Sequence, residues 1–163
     1  QLSAADAAFA GAVDAAQLMA NSAKKAGIDI EVVREPNDGY WSNVWNNDAK
    51  GWCACYWGGR PAETMMFSAA YVAESKWNDT MWKTTDSAVK FNQLVKDARK
   101  ELDESKKRDI LFECQRLIHD DGGLLCPLFN SYVSANSKKI AHGKIAANWD
   151  SDGAKCVERW WFA

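Results

Sequence analysis

The residues whose side chains are most suited to catalysis or metal binding are two cysteines and a distant histidine. Cys53 and Cys55 lie two positions apart, and His119 is far along the chain. A thiol nucleophile needs a base and a third group that orients the base, and nothing in the sequence points to such a group. A Cys-x-Cys pair with a remote histidine also lacks the usual spacing of zinc ligands. Because free cysteine is commonly a small buried hydrophobic residue, we expect no catalytic residue, no metal site and no cofactor.

A different chemistry is offered by the segment Trp57-Gly58-Gly59-Arg60, which Pro61 follows. The glycines can expose backbone N–H groups to a ligand, and a guanidinium can hold a carboxylate or phosphate through a two-pronged pair. The indole offers a large apolar face. The alternatives are a tight turn, a surface ion pair and core packing. We favour a ligand-binding role for Trp57, Gly58, Gly59 and Arg60.

Further aromatic residues precede this loop. Tyr40 and Trp41 are candidates to face a ligand, with core packing as the alternative, and for Trp41 both interpretations stay open. Trp45 and Trp52 are predicted to lie in the core. The chain contains nine tryptophans, so some of them are expected in a core and others in a cleft.

Length and composition narrow the classes of protein. The 163 residues fit one domain of ordinary size, and 47% hydrophobic residues allow a real core. A net charge of -2 argues against a basic nucleic-acid surface or a polybasic membrane anchor. The N-terminal stretch 1–10 lacks the pattern of a signal peptide, and no apolar run approaches membrane-spanning length. The cysteines number five, so they cannot all pair within the chain.

The first half of the chain predicts alternating helix and strand. Helical spacing of apolar residues indicates a helix over 3–26, and a strand follows over 28–34. Asp38 is expected to cap a short helix over 40–46. The continuously apolar run 52–57 is typical of a central strand buried on both faces.

The second half predicts helices followed by a strand. A short helix is expected near 63–73, and two longer helices over 87–101 and 104–120, capped by Asp86 and Asp103, form an antiparallel pair. Residues 124–135 are predicted to be a strand, with an edge or bulge at Pro127. The aromatic end, Trp160 to Phe162, is expected to be docked. The fold class is therefore α/β, with a mixed sheet flanked by helices.

The ordered set of motifs resembles the peptide/nickel class of extracytoplasmic solute-binding proteins of ABC importers. The matching residues run through Asp38-Gly39-Tyr40-Trp41, the strand and loop from Gly51 to Pro61, and Glu101-Leu102-Asp103 with Arg108. They continue from Gln115 through His119-Asp120 and Gly122-Gly123 to Pro127-Leu128-Phe129 and Tyr132-Val133. The resemblance covers essentially the whole chain.

This resemblance implies a partial periplasmic-binding-protein-like lobe of a two-lobe hinge fold. Family members are several times longer and trap their ligand between the lobes. Residues 1–137 would be the C-terminal part of the second lobe, and 138–163 the return segment towards the first lobe. The chain is accordingly expected to be a fragment of a longer protein, located in the periplasm or otherwise outside the cytoplasm, with its signal peptide elsewhere.

The resemblance also implies a function and its partners. The expected role is capture of a small, peptide-like or related solute for the membrane domains of an ABC importer, with no catalysis and no nucleic acid. The strand that matches 52–57 carries, in peptide-binding relatives, an acid that pairs with the ligand's amino group, and Cys55 occupies that position here. A neutral thiol cannot supply that charge pair. Cys55 and Tyr56 join the candidate ligand-binding residues as part of this run.

Two other classes of function stay open at this point. One is a structural or interaction domain with an exposed aromatic surface, and the cut face of a fragment would mimic such a surface and let the chain self-associate. The other is a hydrolase that uses Cys53 or Cys55, which requires a cysteine with a lowered pKa.

Overall fold

A computed structural model describes residues 1–163, and short strands alternate with helices along the chain. This is a mixed α/β fold, as the sequence predicts. The elements in chain order are β1 (Leu2–Ala4), α1 (Ala12–Lys24), β2 (Val32–Arg34), α2 (Tyr40–Asn43), α3 (Glu63–Ala70), α4 (Asp86–Lys100), α5 (Glu104–Asp121), β3 (Ile140–His142), α6 (Asp150–Ala154), α7 (Cys156–Arg159) and β4 (Trp160–Phe162).

The N-terminal unit packs one helix against a parallel strand pair. β1 pairs with β2 in the register Leu2 to Val32, and the crossover between them contains α1. The buried face of α1 consists of Ala12 and Ala16, whose small side chains let the helix lie close to the strands. The helix is shorter than predicted because residues 2–4 are buried in the sheet. Pairing with a neighbouring strand thus outweighs the local capping signal at Ser3.

The largest core belongs to α3, α4 and α5. Phe91, at the centre of this core, lies 5.5 Å from Phe67 and 5.2 Å from Trp82 between ring centroids. Asp121, at the end of α5, accepts hydrogen bonds from Thr85 and Ser87 at the start of α4, so the two helices are antiparallel as predicted. Their boundaries also lie within one residue of the prediction.

The helix caps agree with the sequence in one case and differ in two. Asp103 accepts hydrogen bonds from the backbone N–H groups of Ser105 and Lys106, as predicted. The cap of α4 is Thr85, one residue before the predicted Asp86. α2 has Gly39 at its N-cap, with φ of 72°, instead of Asp38. Glycine suits this position because residues with a side chain rarely adopt the left-handed backbone conformation.

Two strand predictions are wrong. Residues 52–57 make only an isolated parallel bridge between Ser3 and Cys53, so they follow the edge of β1 and leave it after Ala54. The run is half-buried to exposed because no strand pairs with its other side. Residues 124–135 form no strand at all, and most of their apolar side chains are exposed. An apolar run forms a strand only where a neighbouring strand can pair with it.

The segment between α3 and α4 is irregular but firmly anchored. Asn78 is buried, and its side-chain amide donates hydrogen bonds to the carbonyl oxygens of Tyr71, Val72 and Trp82. The next residue, Asp79, donates its backbone N–H to the carbonyl of Ala70 at 2.8 Å. These contacts fix the position of the Asp79 side chain.

The C-terminal residues form a small antiparallel unit in which β3 pairs with β4. Asp152 holds the unit together, since its carboxylate accepts the backbone N–H of Ala146 and the indole N–H of Trp160. Of the terminal aromatic residues, Trp160 is partly buried, whereas Trp161 and Phe162 are exposed. The expected docking of the aromatic end is therefore limited to Trp160.

Candidate ligand-binding site

The guanidinium of Arg60 lies between two indole rings. Its carbon atom is 5.7 Å from the ring centroid of Trp57 and 5.2 Å from that of Trp149, within the range of cation–π contacts. One Nη atom donates to the carbonyl of Gly58 at 2.8 Å. No carboxylate lies within ion-pair distance of Arg60. The cation is thus held in place without being neutralised.

The glycines of this loop meet neighbouring aromatic residues. A Cβ atom at Gly58 would lie 3.1 Å from Trp149, so a side chain here would push the indole away from Arg60. The Gly59 N–H donates to the hydroxyl of Tyr132 at 3.3 Å, which ties the exposed 124–135 segment to the loop. Gly58 therefore serves a close approach, which is more specific than a simple turn.

The backbone just before this loop is free of internal hydrogen bonds. The N–H and C=O groups of Cys55, Tyr56 and Trp57 have no hydrogen-bond partner within the chain. Backbone polar groups require partners when they leave water. This segment can therefore supply donors and acceptors to a bound molecule.

An aromatic cluster surrounds the same segment. Its rings contact one another mostly edge to face, with the Trp45 centroid 6.2 Å from Trp57 and 6.3 Å from Trp77. Trp41 lies 5.7 Å from both Trp45 and Tyr56. We call this set, Tyr40, Trp41, Trp45, Tyr56, Trp57 and Trp77, the aromatic cluster.

One carboxylate lies within the aromatic cluster. Asp79 accepts hydrogen bonds from the indole N–H groups of Trp45 and Trp57, the latter at 3.2 Å. It also accepts a hydrogen bond from the thiol of Cys55, whose sulfur lies 3.3 Å from Oδ2. All of these donors are neutral groups. Asp79 has no lysine, arginine or histidine within ion-pair distance.

The cysteines of this region are held as neutral thiols. Burial raises the pKa of the Cys55 thiol, and the nearby Asp79 charge and its hydrogen bond raise it further. Burial, followed by the Asp79 charge, likewise raises the pKa of Cys53. A nucleophilic cysteine needs the opposite shift. Across the chain, no three histidine, cysteine, aspartate or glutamate side chains converge as metal ligands would.

The structure brings most of the predicted site residues together but buries them to different extents. Tyr40 is 1% exposed and its hydroxyl donates to the Ala54 carbonyl, which fits the core-packing alternative. Trp41 and Tyr56 are exposed, and Trp57 and Arg60 are half-buried. Trp45 is partly buried as expected, whereas Trp52 is exposed, contrary to its predicted core position.

The sequence does not single out three members of this region. Asp79 and Trp77 lie in a stretch that shows no clear periodicity, and Trp149 lies in the irregular tail. The available signal is the run Trp77-Asn78-Asp79, in which a buried amide fixes the loop and two flanking residues join the site. Their proximity to Cys55 and Arg60 depends on long-range packing.

Two surface concavities lie away from this site. One, of about 400 Å³, is at the turn between α4 and α5 and includes Leu102 and Ile110. The other, of about 440 Å³, lies between the start of α3 and α5 and includes Glu63 and Phe112. Neither concavity is lined by Trp57, Gly58, Gly59 or Arg60.

Comparison with known proteins gives no match to any family model, to any curated protein or to any solved structure. None of the helices combines the length and apolar character needed to cross a membrane.

Proposed function

We propose that the chain is part of the solute-binding component of an ABC importer and that the Trp57–Arg60 loop contacts the solute. The observation that carries this proposal is Arg60, a cation fixed between Trp57 and Trp149 without an acidic partner. A preformed guanidinium of this kind suits a carboxylate or phosphate because two N–H groups can bind two oxygens at once.

The surroundings of Arg60 support small-solute capture. Indole faces cover apolar parts of a ligand, and unpaired backbone groups at Cys55 to Trp57 supply hydrogen bonds. In the implied mechanism the solute is held at this surface, a second lobe closes over it, and the exclusion of water strengthens the polar contacts. The closed form is then presented to the importer's membrane domains outside the cytoplasm.

The proposal can be tested by a thermal-shift screen of the full-length gene product against a broad solute library. A bound solute raises the melting temperature because it binds only the folded state. Arg60→Ala and Trp57→Ala should abolish the shift for one solute class. The matched controls Arg99→Ala and Trp161→Ala alter exposed residues outside the site and should preserve it. No shift for any solute, or a shift that survives both site substitutions, would overturn the proposal.

A second candidate function is an interaction domain, which one observation favours. Phe129 is 95% exposed and Val133 is 92% exposed, within a segment that has no secondary structure. Exposed apolar residues in one stretch indicate a surface that another chain or segment covers. Under the importer proposal, other parts of the complete solute-binding protein should cover the segment. A dimer that persists in the full-length product would instead favour the interaction domain.

The third class, a cysteine hydrolase, receives no support from the geometry. The thiols of Cys53 and Cys55 have raised pKa values, and His119 is 87% exposed on α5, where it pairs with Asp120. We therefore propose a binding protein without catalytic activity.

A further inference from the structure

The segment 124–135 has the backbone of a strand but no strand beside it. It contains no helix, turn or bend. None of its backbone N–H and C=O groups pairs with another backbone group of the chain. A row of unpaired backbone groups on an extended segment is a template on which another strand can pair.

The two faces of this segment differ in exposure. In extended backbone, alternate side chains point to opposite faces. Tyr132 lies on the face that contacts the chain, since its hydroxyl accepts the N–H of Gly59, and it is 51% exposed. Phe129 and Val133 lie on the opposite face and are 95% and 92% exposed. The outer face is therefore apolar and uncovered.

The segment and its flanks carry no charge. From Gly122 to Ser137 the sequence contains no aspartate, glutamate, lysine or arginine, although these residues make up 26% of the chain. Natural edge strands are commonly protected against self-pairing by charged side chains, lysine above all. Two copies of this segment can therefore approach each other without charge repulsion. The segment offers nothing to a charged partner, and its chemistry matches an uncharged apolar strand like itself.

We propose that two copies of this chain pair through residues 124–135 and form an antiparallel two-stranded ribbon. A two-fold axis perpendicular to the segment relates the copies and makes identical strands antiparallel. The pairing gives partners to the free backbone groups and brings the two outer faces side by side. This inference does not depend on the proposed solute-binding function.

One register of the ribbon suits the sequence best. An axis at Ser131 places Phe129 of each copy opposite Val133 of the other, and such aromatic and β-branched pairs stabilise sheets. The same register places Pro127 opposite Ala135, near the ends of the ribbon. Proline has no backbone N–H to donate, so a position near the end costs the ladder least.

The contact area predicts a weak dimer. Full burial of the exposed apolar side chains would remove roughly 100 Å² each from water, or about 1,000 Å² for both copies, which is the lower limit of specific interfaces. These side chains are Leu125, Leu128, Phe129, Tyr132 and Val133. The dimer should therefore be the largest species and should dissociate on dilution.

Disulfide formation tests the direction and the register of the strands. The variants Phe129→Cys, Ser131→Cys and Val133→Cys are made singly in a Cys126→Ser chain, which by itself is the control for the remaining cysteines. Directly opposite residues of antiparallel strands have Cα atoms about 4.5–5.5 Å apart, within reach of a disulfide. In the other two variants the two cysteines lie four residues apart along the ribbon, at about 13 Å.

Ser131→Cys should therefore form at least about tenfold more covalent dimer under mild oxidation than either of the other variants, measured on non-reducing gels. An equal mixture of the Phe129→Cys and Val133→Cys chains should form a covalent heterodimer. All three positions are on the exposed segment, so cysteine there leaves the core unchanged.

Hydrogen exchange tests the backbone pairing separately. At a concentration where most of the chain is dimeric, alternate amides of 124–135 should exchange at least about threefold more slowly than in the monomer, resolved by NMR. Contact through side chains alone would leave these amides at the rate of the monomer.

The opposite outcomes overturn the proposal. Equal crosslinking at 129, 131 and 133 would mean parallel strands. A dimer without crosslinks above the Cys126→Ser control, or without slowed amides in 124–135, would mean association through another surface. A chain that stays monomeric at every concentration would mean that a different chain or segment covers these residues.

Discussion

The thiol of Cys55 donates a hydrogen bond to Asp79, with 3.3 Å between the sulfur and Oδ2. This contact joins residues that are 24 positions apart, from the edge of the N-terminal sheet and from the loop that follows α3. It keeps the thiol protonated, because a thiolate beside the carboxylate would place two negative charges in a partly buried site. The same contact orients Asp79 against the aromatic cluster.

Cys55 should accordingly be slow to alkylate in the folded protein. The raised pKa leaves little thiolate, and each unit of pKa lowers the reactive fraction about tenfold. Exposed Cys126 is the internal control and should react at least about tenfold faster under the same conditions. The rates follow from iodoacetamide labelling at pH 8 with peptide mass spectrometry. Fast labelling of Cys55 would contradict the assigned hydrogen bond and would revive the hydrolase alternative.

The sequence predicts secondary-structure elements that depend on nearby residues better than elements that depend on partners distant in the sequence. The pair α4 and α5 is foreseen because apolar spacing and the Asp103 cap lie within each helix. The run at 52–57 and the stretch 124–135 are misassigned because a strand exists only where another strand pairs with it, and that partner lies elsewhere in the sequence.

The candidate site shows the same division. Trp57, Gly58 and Arg60 can be proposed from their residue types, since an indole, a glycine and a guanidinium suggest a ligand contact by themselves. Asp79 and Trp149 are missed because an isolated carboxylate or indole is common and gains meaning only from its neighbours. The depth of Tyr40 is not predicted because it depends on Ala5, Ala8 and Ala12, which belong to the same core cluster.

Phe91→Ala should be the most destabilising single change in the helical core. The side chain is fully buried between Phe67 and Trp82, so its removal leaves a cavity. The expected loss in the free energy of unfolding is about 3–5 kcal/mol by urea denaturation. Val89→Ala, on the same helix but 59% exposed, should change it by less than about 0.5 kcal/mol. Equal losses in the two variants would show that Phe91 is not a core residue.

Asp103→Ala should shorten or fray the start of α5. The Asp103 carboxylate accepts two backbone N–H groups of the first turn, each at 3.0 Å, and alanine leaves them without that partner. The expected cost is about 1 kcal/mol in urea denaturation. Asp109→Ala, at an exposed position within the same helix, is the matched control and should be near neutral. A neutral Asp103→Ala would mean that the cap does not form in solution.

Acid should loosen the C-terminal unit through Asp152. The backbone N–H of Ala146, the indole of Trp160 and the charges of Arg159 and His142 hold the pKa of this carboxyl below its usual range. A carboxyl with a lowered folded-state pKa stabilises the fold above its unfolded pKa of about 3.9, and this stability is lost as the pH falls further. Asn at this position keeps the size and tolerates the φ of 62°, but it lacks the charge.

Hydrogen–deuterium exchange of the peptide 138–163, normalised to intrinsic rates, measures this effect. Asp152→Asn should exchange faster than the wild type at pH 7, and the difference should shrink at pH 3, because the stabilisation by the charge is lost progressively below the unfolded pKa of about 3.9. Glu158→Gln, which alters an exposed surface pair at 3.8 Å, should match the wild type at both pH values. A difference between Asp152→Asn and wild type that stays constant with pH would exclude a charge effect.

The isolated 163-residue chain should self-associate through its exposed apolar segment. Leu128, Phe129 and Val133 are at least two-thirds exposed, at 67%, 95% and 92%. Burial of such side chains releases roughly 25 cal/mol for each Å² removed from water, which favours dimers at high concentration. Replacing these three residues with serine should lower the association constant at least about tenfold in sedimentation velocity, since the loss of about 1.4 kcal/mol suffices.

Leu102→Ser is the control that tests whether any exposed apolar residue, and not this segment in particular, drives self-association. Leu102 is 92% exposed, but it lies alone at the turn between α4 and α5. Its replacement should leave the association constant unchanged, because a single exposed apolar residue does not form a patch. A chain that stays monomeric at every concentration, or that associates equally well after the triple substitution, would show that this segment is not a contact surface. The interaction-domain alternative would then lose the observation that favours it.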